Sequence, residues 1–381
     1  MSPTGVVVDA SELGRRHIRR DQYVSCNQAF IDCRTPGSDE KENYSIIGPG
    51  VTQNAEQVVN LEEPHGFNVG AAAMPPGIVN NLHLHFTAEV FLNWQGRFRV
   101  GWGVDGRDGE LVCERGDIIS VPTWIFRGFT NIGDSRGWLF TLLGFDDTGG
   151  IIWGPSVLRE AARHGLYLGL DNRLVDTVAG DELPHTDELV PPMQDSDIRS
   201  LRPWTEQQMR ERVVRQDDLG WSTRPFLCSE LPGGGAQLAT VIGYGMTEDR
   251  DQVPPIHYPH SFNAAWLRAA KDEGVLSHWH DHTQVLMGYR GRWKVTLNEG
   301  AQAVETVLEE WDTLSVPAGA WRSFTALDDD AQMLVVNSGD GRVRLHWGEE
   351  TTRHAVDKGY AQDAAGYVAP WSVVRYSTLD D

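Results

Sequence analysis

The chain sets short apolar runs between polar ones at a spacing that predicts strands. EVFLNWQGRFRVGWGV (89–104), GDIISVPTW (116–124), GWLFTLLGF (137–145), QVLMGYRGRWKVTL (284–297), DTLSVPAGAWRSF (312–324) and QMLVVNS (332–338) alternate or stay apolar over a few residues, several of them broken by glycine or proline. Half-buried and buried strands carry this pattern. Helical spacing is rarer. SVLREAARHGLYL (156–168) puts Leu158, Ala161, Ala162 and Leu166 on one side, with Gly165 near its end, and RPWTEQQMRERVVRQ (202–216) is a second candidate. The expectation is an all-β protein with a few flanking helices.

The pattern also repeats. HLHFTAEVFLNWQGRFRV (83–100) aligns with HWHDHTQVLMGYRGRWKV (278–295), a shift of 195 positions from His83 to His278. The same shift, without a gap, carries IGPGVT (47–52) to IGYGMT (242–247), HGFN (65–68) to HSFN (260–263) and VPTWIFRGFT (121–130) to VPAGAWRSFT (316–325). The period is far too long for a solenoid unit, so each copy reads as a whole domain. The copies fall at 1–178 and 199–381. The acidic, proline-containing stretch 179–198 reads as a connector.

Composition narrows the function classes. The chain has 381 residues, room for two to three domains of ordinary size. Its formal net charge is −21, from 33 basic and 54 acidic residues. A field of that sign repels phosphate backbones and anionic lipid, which argues against nucleic-acid and membrane partners. No stretch approaches a membrane-spanning run, and MSPTGVVVDASELGRRHIRR lacks the order of a signal peptide. A cytoplasmic location is therefore expected. The four cysteines form no CxxC pair and read as reduced thiols. The 40 glycines and 19 prolines suit many turns between short strands.

The candidate chemistry lies in the repeated HxH. Residues i and i+2 of a strand face the same way, so His83 and His85 aim two imidazoles into one site. Glu89 shares their parity and adds a carboxylate if the chain keeps that face. Two histidines and one carboxylate with open positions form the facial triad typical of non-haem Fe(II); manganese, nickel, cobalt and zinc also suit such donors. In copy two, His278, His280 and His282 share parity with Gln284, which replaces the acid. Imidazoles there can still hold a divalent ion; the alternative is a structural half that has lost its chemistry. His65 and His260 also repeat and read as packing histidines.

Gly77, His83, His85, Glu89 and Gly96, followed by Gly116 and Pro122, are spaced as in the two motifs of the cupin superfamily, which they resemble. Copy two repeats the pattern with His278, His280, Gln284, Gly291 and Pro317. The whole chain is thus similar to a bicupin, and the resemblance implies two tandem jelly-roll (double-stranded β-helix) barrels. GDIISVPTWIFRGFTN with GWLFTLLGFD is also similar to the matching stretch of gentisate-type ring-cleaving bicupin dioxygenases. The family's second motif places a third histidine five residues after its proline. Here that position holds Arg127 and Arg322. A guanidinium stays protonated and does not ligate a metal. Each arginine either anchors a substrate carboxylate, a catalytic role, or pairs with a nearby acid such as Glu89.

Three functions follow from this reading. The first is an Fe(II) dioxygenase acting with O2 on a small aromatic or carboxylated molecule. The second is a non-redox metal-dependent lyase, isomerase or decarboxylase. The third is a metal-free protein that binds an anionic metabolite through Arg127 and Arg322. The resemblance adds a homodimer.

Overall fold

The computed structural model describes residues 5–377. The expected strands form, and they assemble as antiparallel sheets with a few short helices. The described chain divides into two compact units. One is Tyr23–Asp218; the other joins the residues through Gln22 to those from Leu219 onward.

In the first unit a seven-stranded sheet runs, in spatial order, Val213–Val214, Ile118–Val121, Glu89–Gln95, Gly137–Gly144, Phe67–Met74, Glu42–Ile47 and Val59–Leu61. The companion sheet has five strands, ordered Ile151–Trp153, Val79–His85, Arg127–Asn131, Phe98–Trp102 and Gly109–Cys113. Side chains from the two sheets share one apolar core. Phe91, Ile119, Val121 and Leu139 come from the first sheet and Phe98, Val100, Trp102, Leu111 and Phe129 from the second. Alternation explains the selection: Phe98, Val100 and Trp102 are buried, whereas Arg99 between them is exposed. The second unit repeats this plan with sheets of six and five strands.

The boundaries differ from those expected at 178 and 199. The segment read as a connector packs in the first unit, where Leu170 N–H donates to the Glu188 carbonyl and Val190 joins an apolar cluster. Val213–Val214 then adds an edge strand to that unit, pairing with Ile118–Val121. In matching fashion, His17–Ile18 pairs with Leu314 and Thr313 at the edge of the second unit. Each barrel thus takes its edge strand from the segment preceding the other copy. Burial drives the exchange: Met209 lies in the first core and Leu13 in the second. An even split of the repeat does not reveal which barrel such segments join.

The helix expected over 156–168 ends sooner, spanning Pro155–Arg163. Gly165, at φ 77°, then turns the chain into the strand Leu166–Leu168. The candidate over 202–216 shortens to Glu206–Arg210, capped by Thr205, because the residues after it extend to pair with the sheet. Cys33, Cys113 and Cys228 are buried free thiols; burial pushes them up to about 11, 12 and 12 respectively. Among the described residues no helix is long and apolar enough to cross a membrane.

Candidate metal centre

His83 and His85 lie on Val79–His85 of the five-stranded sheet, and Glu89 begins Glu89–Gln95 of the facing sheet. The chain turns between them, so the carboxylate approaches the imidazoles from across the barrel. The expected parity holds through this turn. One donor atom from each residue lies within 4.8 Å of the others, close to what a single ion spans with ligands at ~2.0–2.2 Å. All three residues are buried.

Hydrogen bonds fix which atoms are free. His83 Nδ1 is 2.6 Å from the Asn81 carbonyl, and His85 Nδ1 is 3.3 Å from the Gly150 carbonyl. A carbonyl only accepts, so both Nδ1 atoms carry the proton and both Nε2 atoms keep a lone pair. Burial, reinforced by the Arg127 charge, holds His83 well below the ordinary histidine value and lowers His85. Burial alone would raise Glu89, but the Arg127 guanidinium outweighs it and holds the carboxyl well below the usual range. The donor set is therefore two neutral imidazoles and one carboxylate, already in the protonation states a divalent ion requires.

Arg127 is the cation behind that carboxylate. Its Nε and Nη2 donate to Glu89 Oε2 at 3.0 and 2.5 Å, and its Nη1 donates to the His83 carbonyl at 3.1 Å. Glu89 Oε1 faces His85 Nε2 at 3.5 Å. One carboxylate oxygen is thus held by the arginine while the other faces the imidazoles. Arg127 is fully buried and is not part of the cavity wall. The substrate-anchoring role expected of it is corrected to a positioning role: the guanidinium is engaged by an ionised carboxylate on the neighbouring sheet.

The triad opens on a cavity of about 70 Å³. Phe30, Tyr44, Phe129 and Trp153 give it aromatic surface, and Asn43, Ser45, Asn80 and Thr141 give it polar groups. Phe129 comes from the neighbouring strand Arg127–Asn131. Phe91, Trp94, Phe98 and Phe126 are buried, whereas Trp124 is largely exposed. Tyr44, Asn80 and Trp153 were not legible as site residues. For Asn80 the signal is the repeat itself, because the matching position is Val275.

Copy two is built differently. His278, His280, Gln284 and Arg322 are all buried. Arg322 Nη1 lies 3.1 Å from His280 Nε2 and 3.4 Å from Gln284 Oε1. Since arginine only donates, it occupies the lone pair a metal would need. Gln284 Nε2 donates to Asn337 Oδ1 at 2.8 Å, and His282 Nδ1 contacts the Ser338 carbonyl at 2.7 Å. The metal set expected of His278, His280 and Gln284 is corrected accordingly, because Gln284 lacks the charge that would draw the guanidinium away. Arg322 is likewise no catalytic anchor; its remaining donors go to the Pro317 and Ala320 carbonyls. Burial pushes it down to about 9, so it stays a cation at neutral pH.

His65 and His260 take packing roles. Their Nδ1 atoms contact the Glu63 and Tyr258 carbonyls, and their backbone N–H groups donate to Asp146 and Asp340.

No family model matches the chain, and no curated protein matches it in sequence. Solved structures do. The 7S globulin of Momordica charantia superposes with TM-score 0.50 at 11% identity, covering 85% of this chain and 84% of the other. Vicilin from Capsicum annuum gives 0.50 at 13%, covering 88% and 89%. The Lactobacillus farciminis oxalate decarboxylase formate complex gives 0.48 at 15%, covering 84% and 86%. At such identities the likeness concerns the fold alone. Two antiparallel barrels in tandem, with the likeness to these structures, give this chain the bicupin fold.

Proposed function

We propose that the chain is a metal-dependent bicupin oxidoreductase whose N-terminal barrel holds a mononuclear non-haem Fe(II) and oxygenates a small carboxylated molecule with O2. The observation that carries this reading is the His83, His85 and Glu89 set, with both Nε2 lone pairs free and the carboxylate ionised. Bound there, such an ion would supply open coordination positions for substrate and oxygen and the electrons for oxygen activation. The chain's own residues do the rest. His83 and His85 present neutral nitrogens, held in one tautomer by the Asn81 and Gly150 carbonyls. Arg127 keeps Glu89 ionised and turns one oxygen inward. Phe30, Phe129 and Trp153 line the cavity and limit water around the reacting molecule.

Cavity size narrows the substrate. About 70 Å³ is less than half of the ~150 Å³ that holds a benzene ring, so the resting barrel suits an acid of a few heavy atoms better than an aromatic one. The same size supports a second reading, non-redox decarboxylation of such an acid. A homodimer and a cytoplasmic location complete the proposal.

The test is anaerobic Fe(II) reconstitution of untagged protein, followed by oxygen uptake with a panel of small carboxylic acids. One metal equivalent per chain and acid-dependent uptake, both lost in His85→Ala, are expected. Turnover without oxygen on a zinc-loaded sample would select the second reading. Failure to hold any divalent ion would overturn both.

A further inference from the structure

A buried ion pair lies beside the cavity, and the metal triad makes no use of it. Lys41 Nζ contacts both carboxylate oxygens of Asp32, at 2.9 and 2.8 Å, and both side chains are essentially inaccessible. The third Lys41 donor goes to Asn80 Oδ1 at 2.5 Å. Ser38 Oγ and Asn81 complete the shell around Asp32. An ammonium only donates, so the Asn80 atom facing Lys41 must be the oxygen. The amide nitrogen is thereby turned away from Lys41. Asn80 is 6% exposed and belongs to the cavity wall with His83, His85 and Glu89.

A backbone irregularity puts it there. On a regular strand Asn80 and His83 would face opposite ways. Instead Arg127 pairs with His83 and Phe129 with Asn80, so the histidine strand carries one extra residue between the two pairs. Such a bulge reverses parity and re-aims a side chain. Copy two has the same irregularity, with His278 opposite Arg322 and Val275 opposite Phe324. Its polar set, however, is gone. The shift of 195 carries Asp32 to Leu227, Ser38 to Gly233, Lys41 to Ala236, Asn80 to Val275 and Asn81 to Leu276. Ala236 and Val275 belong to that barrel's apolar core. The fold therefore does not need the polar group, and burying it carries a desolvation cost that the apolar version avoids.

We propose that Asn80 is a substrate-orienting residue: the Lys41–Asp32 pair locks its amide so that Nδ2 donates to a carboxylate oxygen of the molecule bound beside His83, His85 and Glu89. The inference rests on the metal reading above and adds the group that recognises the acid. A locked donor opposite a cation site fixes a carboxylate at two points and selects against ligands with no acceptor there.

The experiment uses full-length protein loaded with diamagnetic Zn(II) and labelled with 15N-asparagine, titrated with acetate as the probe. The Asn80 side-chain resonance is identified by its absence in Asn80→Val, a side chain that the same bulge accommodates in copy two; Asn80→Ala serves if the valine variant does not fold. Saturable movement of the Asn80 NH2 signal is expected, with acetate about tenfold weaker in Asn80→Val and zinc stoichiometry unchanged. The double variant Asp32→Leu, Lys41→Ala, which reproduces copy two, weakens acetate by a smaller factor because the amide is then free to rotate. A static Asn80 signal while acetate binds, equal acetate affinity in Asn80→Val, or no acetate binding at all would overturn the proposal. Loss of zinc binding in the unmodified protein would instead overturn the metal reading. The same titration without zinc then still reports on Asn80.

Discussion

Arg127→Met isolates the arrangement on which the proposed metal centre depends. Arg127 and Glu89 are buried, and the guanidinium is the carboxylate's cationic partner, through contacts at 3.0 and 2.5 Å. Removing one member of such a pair leaves an uncompensated charge and costs about 3–5 kcal/mol. Loss of the donor to the His83 carbonyl adds about 1 kcal/mol. Removing both partners, as Arg127→Met with Glu89→Leu, leaves no stranded charge, so most of the loss is recovered. Metal binding should respond as well. Without Arg127, burial dominates and raises Glu89, so a proton competes with the ion and affinity at neutral pH falls about 10–100-fold. Two barrels need not unfold together, so the assay is hydrogen exchange of peptides covering 79–95 rather than a global melt. Calorimetric zinc titration measures the affinity. A single variant within about 1 kcal/mol of the parent, or a double variant no more stable than the single, would refute the electrostatic account.

Three further outcomes are expected. Glu248 is buried and accepts from Leu227 N, Trp347 Nε1 and Gln362 Nε2, yet burial pushes it up to about 7. A raised folded-state value means stability present at acid pH is lost as pH rises through about 7, by about 3 kcal/mol in all. Glu248→Gln should flatten that slope in urea denaturation of the C-terminal barrel between pH 5 and 8, since Gln53 accepts from Ile31 N and Trp153 Nε1 at the matching place; an unchanged slope would contradict it. Gly128→Ala would set a Cβ 2.7 Å from the Asn80 carbonyl oxygen, costing about 1–3 kcal/mol and weakening acetate binding before zinc binding, as denaturation and titration would show. Gln284→Glu should draw Arg322 off His280 Nε2 and raise metal content, by elemental analysis, from one equivalent per chain towards two.

The fold was legible because its signals are local and repeated. Short alternating runs fix strands, and the shift of 195 between His83 and His278 fixes two barrels. The triad was legible for the same reason, since His83, His85 and Glu89 sit within one strand–turn–strand unit. What escaped depends on partners distant in the chain. His17 bonds Asp312 in the second unit, and Arg212 bonds Ser120 in the first, so the edge-strand exchange has no local signature. Asn80 escaped because a bulge reversed its parity, and no simple alternation rule predicts a bulge. The direction of Arg127 turned on which of two acceptors, substrate or Glu89, stands nearest, and that is a fact of packing.

The two arginines show how one difference between the copies redirects a repeated geometry within a single chain. In the first barrel Glu89 supplies a negative charge that holds Arg127 at its back, and the two charges cancel; Lys41 and Asp32 cancel beside them. A cation entering that site meets two free imidazole lone pairs and a carboxylate oxygen. In the second barrel the position of Glu89 holds Gln284, which offers a dipole in place of a charge. Among the described residues no carboxylate pairs with Arg322, and its guanidinium turns to the best neutral acceptors within reach, among them His280 Nε2. The cation of that barrel is therefore already resident, and a divalent ion would have to displace it while placing like charges a few ångströms apart. On the proposed reading, residue 89 against residue 284, rather than the histidines present in both copies, decides which barrel is open to a metal.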